Sequence, residues 1–152
     1  MDFDWGDIGK ISYLVPVIVF LLFNVLFKKQ QEQKRRVAAV KSLLSEIEHN
    51  KKLIESLYLG WQTKKFKTAT WKRNKDKMDY IDKGLYLTLA DVYEIADGFN
   101  QEIDKAMRYK STSYLASIKI DRLTEPLAKS NLGLLEWLEL NKDKTKTSTQ
   151  TP

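Results

Sequence analysis

The sequence predicts an all-α protein with a single N-terminal transmembrane helix that continues into an antiparallel bundle of three to four cytoplasmic helices. Three observations support this fold class. An apolar block occupies residues 11–27, apolar stripes with helical spacing recur over residues 40–99, and no stretch alternates apolar and polar residues as a strand would. The chain has 152 residues, which is room for one anchor and one modest helical core.

The apolar block runs from Ile11 to Phe27 and holds 17 residues without a charge. A helix of this length spans about 25 Å, at the short end of what crosses a bilayer. A cleavable export signal begins with positive charge and ends in small residues, whereas this block follows an acidic N-terminus and ends in Phe27 and two lysines. Trp5 and Tyr13 lie near its outer end, where interfacial aromatic residues are expected. We therefore predict a permanent membrane helix.

Basic residues flank the block unevenly. Lys10 alone precedes it, and a basic segment over residues 28–36 follows it, with Lys28, Lys29, Lys34, Arg35 and Arg36. Because positive flanks stay on the cytoplasmic side, residues 1–10 are predicted to be a short acidic extracytoplasmic N-terminus of a cell-membrane protein, with the C-terminal domain in the cytoplasm. The basic segment also suits contact with anionic lipid headgroups.

Residues 37–140 carry the patterns of a helical bundle domain. The first stripe is spaced at three and four residues: Val40, Leu43, Ile47, Asn50, Ile54, Leu57 and Trp61. A second stripe has the same spacing and predicts a helix that begins as early as Thr70 and ends or bends at Gly98: Met78, Ile81, Leu85, Thr88, Val92, Ile95 and Phe99. Asn50 interrupts the first stripe. Such an Asn can fix the register or oligomeric state of packed helices, or it can bond to a loop backbone in its own chain.

Two shorter patterns follow the second stripe. Apolar residues over 111–123 predict a helix of about three turns. Thr124, Glu125 and Pro126 then read as a cap with proline in the first turn, which predicts a new helix to about Leu140. Residues 141–152 are polar and lack apolar periodicity, so we expect a disordered tail.

Two groups of acidic residues are candidates for a metal site or for acid–base catalysis. Glu46 and His49 have the i, i+3 spacing of di-iron bundles, but His49 is the chain's single histidine. Three further acids share one face of the second predicted helix: Asp91, Glu94 and Asp97. The chain has no cysteine, and neither a catalytic nucleophile nor a Gly-rich phosphate loop accompanies the acids. We interpret both groups as solvated or salt-bridged surface, and we predict no cofactor and no enzymatic activity.

A basic and aromatic segment follows the first stripe. Residues 64–77 carry seven positive charges and one negative charge. The candidate partner-binding residues are Trp61, Lys64, Lys65, Phe66, Lys67, Trp71, Lys72 and Arg73. This mixture suits anionic lipid headgroups or single-stranded nucleic acid, while for the chain as a whole we predict a protein partner or self-association. The favoured interpretation of the segment is that its aromatic residues cover the end of the bundle while the lysines are solvated or pair with the acids of residues 79–104.

Taken as a whole, these features predict a non-enzymatic, single-pass adaptor or scaffold that presents a cytoplasmic interaction domain. An alternative is a small membrane-active effector of the holin or toxin type, suggested by the short span with Pro16 and Asn24 inside it. A third hypothesis is a metal-dependent enzyme that uses the acidic helix face with Glu46 and His49.

Overall fold

A computed structural model describes residues 6–57 and 64–146, and within them it leaves out the side chains of residues 6–15, 57, 117 and 143–146. The described residues form four α-helices and contain no strand: α1 (Gly6–Leu57), α2 (Ala69–Asn74), α3 (Lys83–Tyr109) and α4 (Asp121–Lys146). Two 3-10 turns, Lys75–Lys77 and Thr112–Ser117, lie between them. The all-α prediction is confirmed. The chain divides into two compact units, residues 1–35 and residues 36–152, and the second is called the helical domain below.

In the first unit, α1 carries an apolar stretch that is exposed on all sides. Its large side chains keep between 53% and 68% of their surface accessible: Val17, Ile18, Val19, Phe20, Leu21, Leu22, Phe23, Val25, Leu26 and Phe27. Among the side chains that the structure describes, which begin at Pro16, there is no helix long and apolar enough to cross a membrane. Residues 11–15 of the predicted span lie outside those side chains, as do Trp5, Lys10 and Tyr13.

In the helical domain, α1 buries one face and exposes the other. Val40, Leu43 and Ile47 have no accessible surface, and Leu53 and Ile54 keep only a few per cent. These positions are three, four or seven residues apart, so they lie on one side of the helix. The first stripe therefore packs into the core as predicted as far as Ile54. Its last two positions, residues 57 and 61, lie outside the described side chains.

The second predicted helix is broken in two. α2 is only six residues long, and α3 begins at Lys83 after a 3-10 turn and a bend. Asp82 sets the new start, because its carboxylate accepts hydrogen bonds from the backbone N–H groups of Gly84 (2.7 Å) and Leu85 (3.2 Å). Met78 and Ile81 are buried in the non-helical connection. Both residues have helical spacing in the sequence although they do not lie in a helix, so the prediction of a helix that starts as early as Thr70 and continues through them is wrong.

The ends of α3 and α4 also differ from the prediction. α3 passes through Gly98 and stops at Lys110, whose φ of 49° is left-handed. The segment predicted as a three-turn helix is a 3-10 turn, and α4 starts at Asp121 with Pro126 inside it, so residues 124–126 do not form a cap. α4 then continues to Lys146, where Glu139 pairs with Lys142 across one turn at 3.1 Å. The prediction of disorder is wrong for residues 141–146.

The directions of the helices follow from contacts between them. The indole N–H of Trp137, late in α4, donates to the carbonyl of Tyr80 just before α3 (3.3 Å), so α3 and α4 are antiparallel. The guanidinium of Arg36 in α1 lies 4.9 Å from the centre of the same Tyr80 ring. Asn50 lies fourteen residues after Arg36 in α1 and bonds to the backbone of Lys67. Asn100, late in α3, bonds to the backbone of the adjacent Phe66. α1 and α3 therefore run in the same direction, and the antiparallel prediction is wrong for this pair.

Residues 64–82, which we call the return arm, bring the chain back between α1 and α3. Two ends of the helical domain can now be defined. The near end holds Arg36, Tyr80 and Trp137 and is where the chain enters the domain. The far end is where α3 stops and α4 begins. α3 has 27 residues and, at about 1.5 Å per residue, separates the two ends by about 40 Å.

Candidate functional site

Two asparagines, one in α1 and one in α3, bind the backbone of the first part of the return arm. The amide oxygen of Asn50 accepts from the backbone N–H of Lys67, and its amide nitrogen donates to the carbonyl of the same residue, both at 2.8 Å. Asn100 forms the same pair of bonds with Phe66, at 2.8 and 2.9 Å. Each asparagine thus satisfies a donor and an acceptor that a short extended segment would otherwise leave to water. Asn50 bonds to a loop backbone of its own chain, which is the second of the two roles that the sequence left open.

Glu46 holds the second part of the return arm. Its carboxylate, 6% exposed, accepts from the backbone N–H groups of Thr70 (2.9 Å) and Trp71 (3.3 Å). These N–H groups belong to the first turn of α2, where no preceding carbonyl is available to them. The negative charge therefore caps a helix that is too short to be stable alone. His49, three residues later, is exposed and does not share this environment.

Aromatic rings fasten the arm to α3. Phe66 lies 5.9 Å from Phe99 between ring centres, and Trp71 stacks on Tyr93 at 5.2 Å with an angle of 4° between planes. Burial first, and the nearby charge of Glu46 second, raise the pKa of Tyr93. The Glu46 carboxylate lies near enough to the Tyr93 hydroxyl to raise its pKa, although the hydroxyl forms no hydrogen bond of good geometry within the described residues. Tyr93 is consequently neutral at physiological pH.

Two lysines of the arm pair with the acidic side of α3. Lys65 lies 2.5 Å from the carboxylate of Asp104, and Lys72 lies 2.7 Å from that of Asp97. Both pairs are about half exposed, so each adds only a few tenths of a kcal/mol to stability. Their main consequence is local neutralisation, because these two positive charges are not free to attract a partner.

The structure thus divides the predicted partner-binding residues into two groups. Phe66 and Trp71 are buried in the core, and Lys65 and Lys72 are paired. Lys64, Lys67 and Arg73 are exposed and form no ion pair with the part of the chain that is described. Trp61 lies outside the described residues. An interaction surface on this segment would consequently consist of its exposed cations and not of its aromatic rings.

The basic residues after the apolar block are placed as follows. Four of them are exposed on α1: Lys28, Lys29, Lys34 and Arg35. Arg36 is half-buried against Tyr80 and belongs to the helical domain. The positions flanking the apolar stretch are thus open to solvent or headgroups, while the last basic residue packs within the protein.

No group of three or more His, Asp or Glu side chains lies close enough to hold a metal ion, as far as the described side chains show. Of the acids considered in the sequence, Glu46 caps α2 and Asp97 pairs with Lys72. Asp91 and Glu94 are exposed on α3. A shallow pocket of about 340 Å³ opens at the near end, with Met78, Ile81 and Tyr86 on its walls and the charged side chains of residues 75, 76, 79 and 83 around them.

Sequence reasoning missed Asn100 and the capping role of Glu46. Both act on backbone groups 24 to 34 positions away in the chain. No local pattern marks such contacts, although an Asn beside the buried Phe99 was a signal that could have been weighed. Comparisons with protein-family models, with curated proteins and with solved structures found no match to this chain.

Proposed function

We propose that this chain is a single-pass, membrane-anchored adaptor that presents its helical domain to a cytoplasmic protein partner and catalyses no reaction. The observation that carries this proposal is the apolar stretch Pro16–Phe27 of α1. Its side chains point in every direction, and the described part of the chain covers none of them. A helix that is apolar on all sides requires an apolar surrounding, which a bilayer supplies.

The length of the stretch fits this role once the sequence before Pro16 is included. Residues 11–27 carry no charge, and Lys10 and Lys28 could extend their long side chains toward opposite headgroup regions. The excess of basic residues after the stretch favours a cytoplasmic location for the helical domain. It also supports contact between residues 28–36 and anionic lipids.

The non-enzymatic part of the proposal is supported by what the polar residues do. Glu46, Asn50 and Asn100 bind the backbone of the return arm. An acid or amide that is committed to the backbone is not free to act on a substrate. The exposed residues of the domain are instead mostly charged, as suits a surface that binds another macromolecule.

The location can be tested with single cysteines, since the chain has none of its own. Asp4→Cys reports on the N-terminus, and Lys129→Cys reports on an exposed position of α4. In intact cells, a membrane-impermeant maleimide should label the first variant and not the second. After the cells are broken open, both should react.

A matched control is the double variant, Asp4→Cys with Lys129→Cys, which must show one label per chain before lysis and two after it. Labelling of Lys129→Cys in intact cells would contradict the proposed orientation. Recovery of the full chain in the soluble fraction would contradict the anchor itself.

A further inference from the structure

The far end of the helical domain carries a set of unpaired cations that no sequence motif marked. Arg108 lies in the last turn of α3 and Lys110 just after it, while Lys119 lies two residues before α4 and Arg122 in its first turn. All four are exposed, and none forms an ion pair with the described part of the chain. The neighbouring Lys105 differs, because it is held by Glu102 at 2.7 Å. The four remaining charges are thus available to another molecule.

The return arm adds to the same surface. Lys65 reaches Asp104 on α3, and Arg108 lies four residues further along that helix, which places it on the same side one turn away. Lys64 and Lys67 lie one and two positions from Lys65, and neither forms an ion pair with the described residues. Ile118, just before Lys119, packs against the cluster that Ile103 and Ala106 of α3 form, so the start of α4 lies at the same end of the domain. The exposed cations of these three segments therefore lie at one end of the helical domain, and we call them the far-end basic surface: Lys64, Lys67, Arg108, Lys110, Lys119 and Arg122.

Exposed apolar and aromatic groups lie among these charges. Tyr109 is 60% exposed and Met107 is 46% exposed, and the ring of Tyr109 touches that of Tyr114 at 5.6 Å between centres. Lys110 holds a left-handed backbone conformation that glycine would adopt at lower cost. A charged side chain thus occupies a position where local stability favours glycine.

We propose that the far-end basic surface docks an acidic segment of a partner protein, with the exposed Tyr109 and Met107 contacting an apolar residue of that segment. This inference rests on the proposed adaptor function and names the chemistry of its partner. Complementary charge would raise the association rate, and burial of the Tyr109 ring against the partner would slow dissociation.

Single-stranded nucleic acid fits this surface less well than an acidic protein segment does. Single-stranded nucleic acid binds by stacking its bases on open aromatic rings, but Phe66 and Trp71 are buried. Tyr109 offers one ring, and Tyr114 already covers part of it.

The test uses the full chain in detergent micelles, so its result does not depend on whether residues 11–27 span a bilayer. The probe is a fluorescein-labelled peptide of about 15 residues, rich in Glu with one Leu and one Tyr, and binding is followed by fluorescence anisotropy. The test variant is Arg108→Glu with Lys110→Glu. The control variant, Lys75→Glu with Lys83→Glu, makes the same charge change at the near end, and circular dichroism checks that both remain helical.

We expect the far-end variant to bind the peptide at least about 10-fold more weakly and the near-end variant to change affinity by less than about 2-fold. Tyr109→Ala should also weaken binding while leaving the charge intact. Equal loss in both double variants would overturn the proposal, because only net charge would then matter. So would the absence of peptide binding, or tighter binding of a single-stranded DNA of about 15 nucleotides. Soluble behaviour of the chain in cells would reject the anchor without affecting this result.

Discussion

Two stretches of the same helix, residues 16–27 and residues 40–54 of α1, use apolar residues in opposite ways. In the first, ten large apolar side chains keep more than half of their surface exposed. In the second, apolar residues recur on one side only, and their side chains keep only 0–6% of their surface exposed. Both are equally helical, so the difference lies in what surrounds them and not in local structure.

Burial in this protein follows the arrangement of apolar residues along the helix and not their number. An apolar stripe on one side of a helix can be buried within the chain. Here the return arm, α3 and α4 supply the apolar faces against which it packs. An all-round apolar stretch cannot be covered by one neighbouring face. The described part of the chain therefore leaves the first stretch uncovered, whereas the second stretch forms part of the core of the helical domain.

The largest effect should come from charges placed in the first stretch. In the proposed membrane helix, Leu21→Arg with Leu22→Arg would place two guanidinium groups in the bilayer, at a cost of about 5–7 kcal/mol in insertion free energy. We expect the protein to move from the membrane pellet to the soluble or aggregated fraction. Leu132→Arg is the control, because Leu132 is equally exposed at 61% but belongs to α4. Retention of the double variant in the membrane pellet would contradict the proposal that residues 16–27 are inserted in the bilayer.

A smaller effect should separate the stretches by their role in folding. Leu43→Ala removes a fully buried side chain and should lower the free energy of unfolding of the helical domain by about 3 kcal/mol. Leu21→Ala should leave this quantity unchanged within about 0.5 kcal/mol. Urea unfolding in detergent, followed by tryptophan fluorescence, measures both. Equal losses in the two variants would mean that the first stretch also packs inside the protein.

The asparagine clamp should contribute less than the core. Asn50→Ala leaves the N–H and the carbonyl of Lys67 without their partner and should cost about 2 kcal/mol in unfolding free energy. Asn74→Ala is the matched control, because Asn74 donates one bond to a carbonyl of its own helix. We expect it to cost less than about 1 kcal/mol. Similar values for the two would contradict a specific contribution of the Asn50 clamp to stability.

Some of this architecture could be predicted from sequence. The first stripe was correct because an amphipathic helix records its buried face every three or four residues, and Val40, Leu43 and Ile47 all lie in the core. The second stripe failed at its start, where Met78 and Ile81 pack from a turn. Asp82 was the available signal, since an acid before Lys83 and Gly84 is a common helix start.

The return arm and the directions of the helices could not be predicted in this way. They depend on Glu46, Asn50 and Asn100 meeting backbone groups that are 17 to 34 residues distant. A side chain that bonds to a distant backbone leaves no spacing in the sequence. Of the far-end basic surface, only Lys64 and Lys67 were candidates from the sequence. The other four cations were missed because they come from two further segments that are distant in the chain.

The smallest effect concerns Tyr93 and appears only in alkali. Because burial raises the pKa of Tyr93 above its ordinary value near 10, the folded protein keeps this proton while the unfolded chain loses it. The stabilising difference is complete below about pH 10 and declines above it, by about 1.4 kcal/mol per pH unit. Tyr93→Phe should remove this slope and leave stability at pH 7 nearly unchanged, since the hydroxyl has no partner among the described residues. Urea unfolding at pH 7 and at pH 11 distinguishes the two proteins, and parallel pH dependences would contradict the argument.

The most direct test of the account measures what surrounds each stretch. Spin labels attached to Leu22→Cys and to Leu132→Cys report on two leucines of similar exposure, 59% and 61%, in a chain without other cysteines. In liposomes, the label at position 22 should collide readily with dissolved oxygen and rarely with a water-soluble nickel complex, while the label at position 132 should do the reverse. Equal access of the nickel complex to both labels would contradict the claim that residues 16–27 lie in a bilayer.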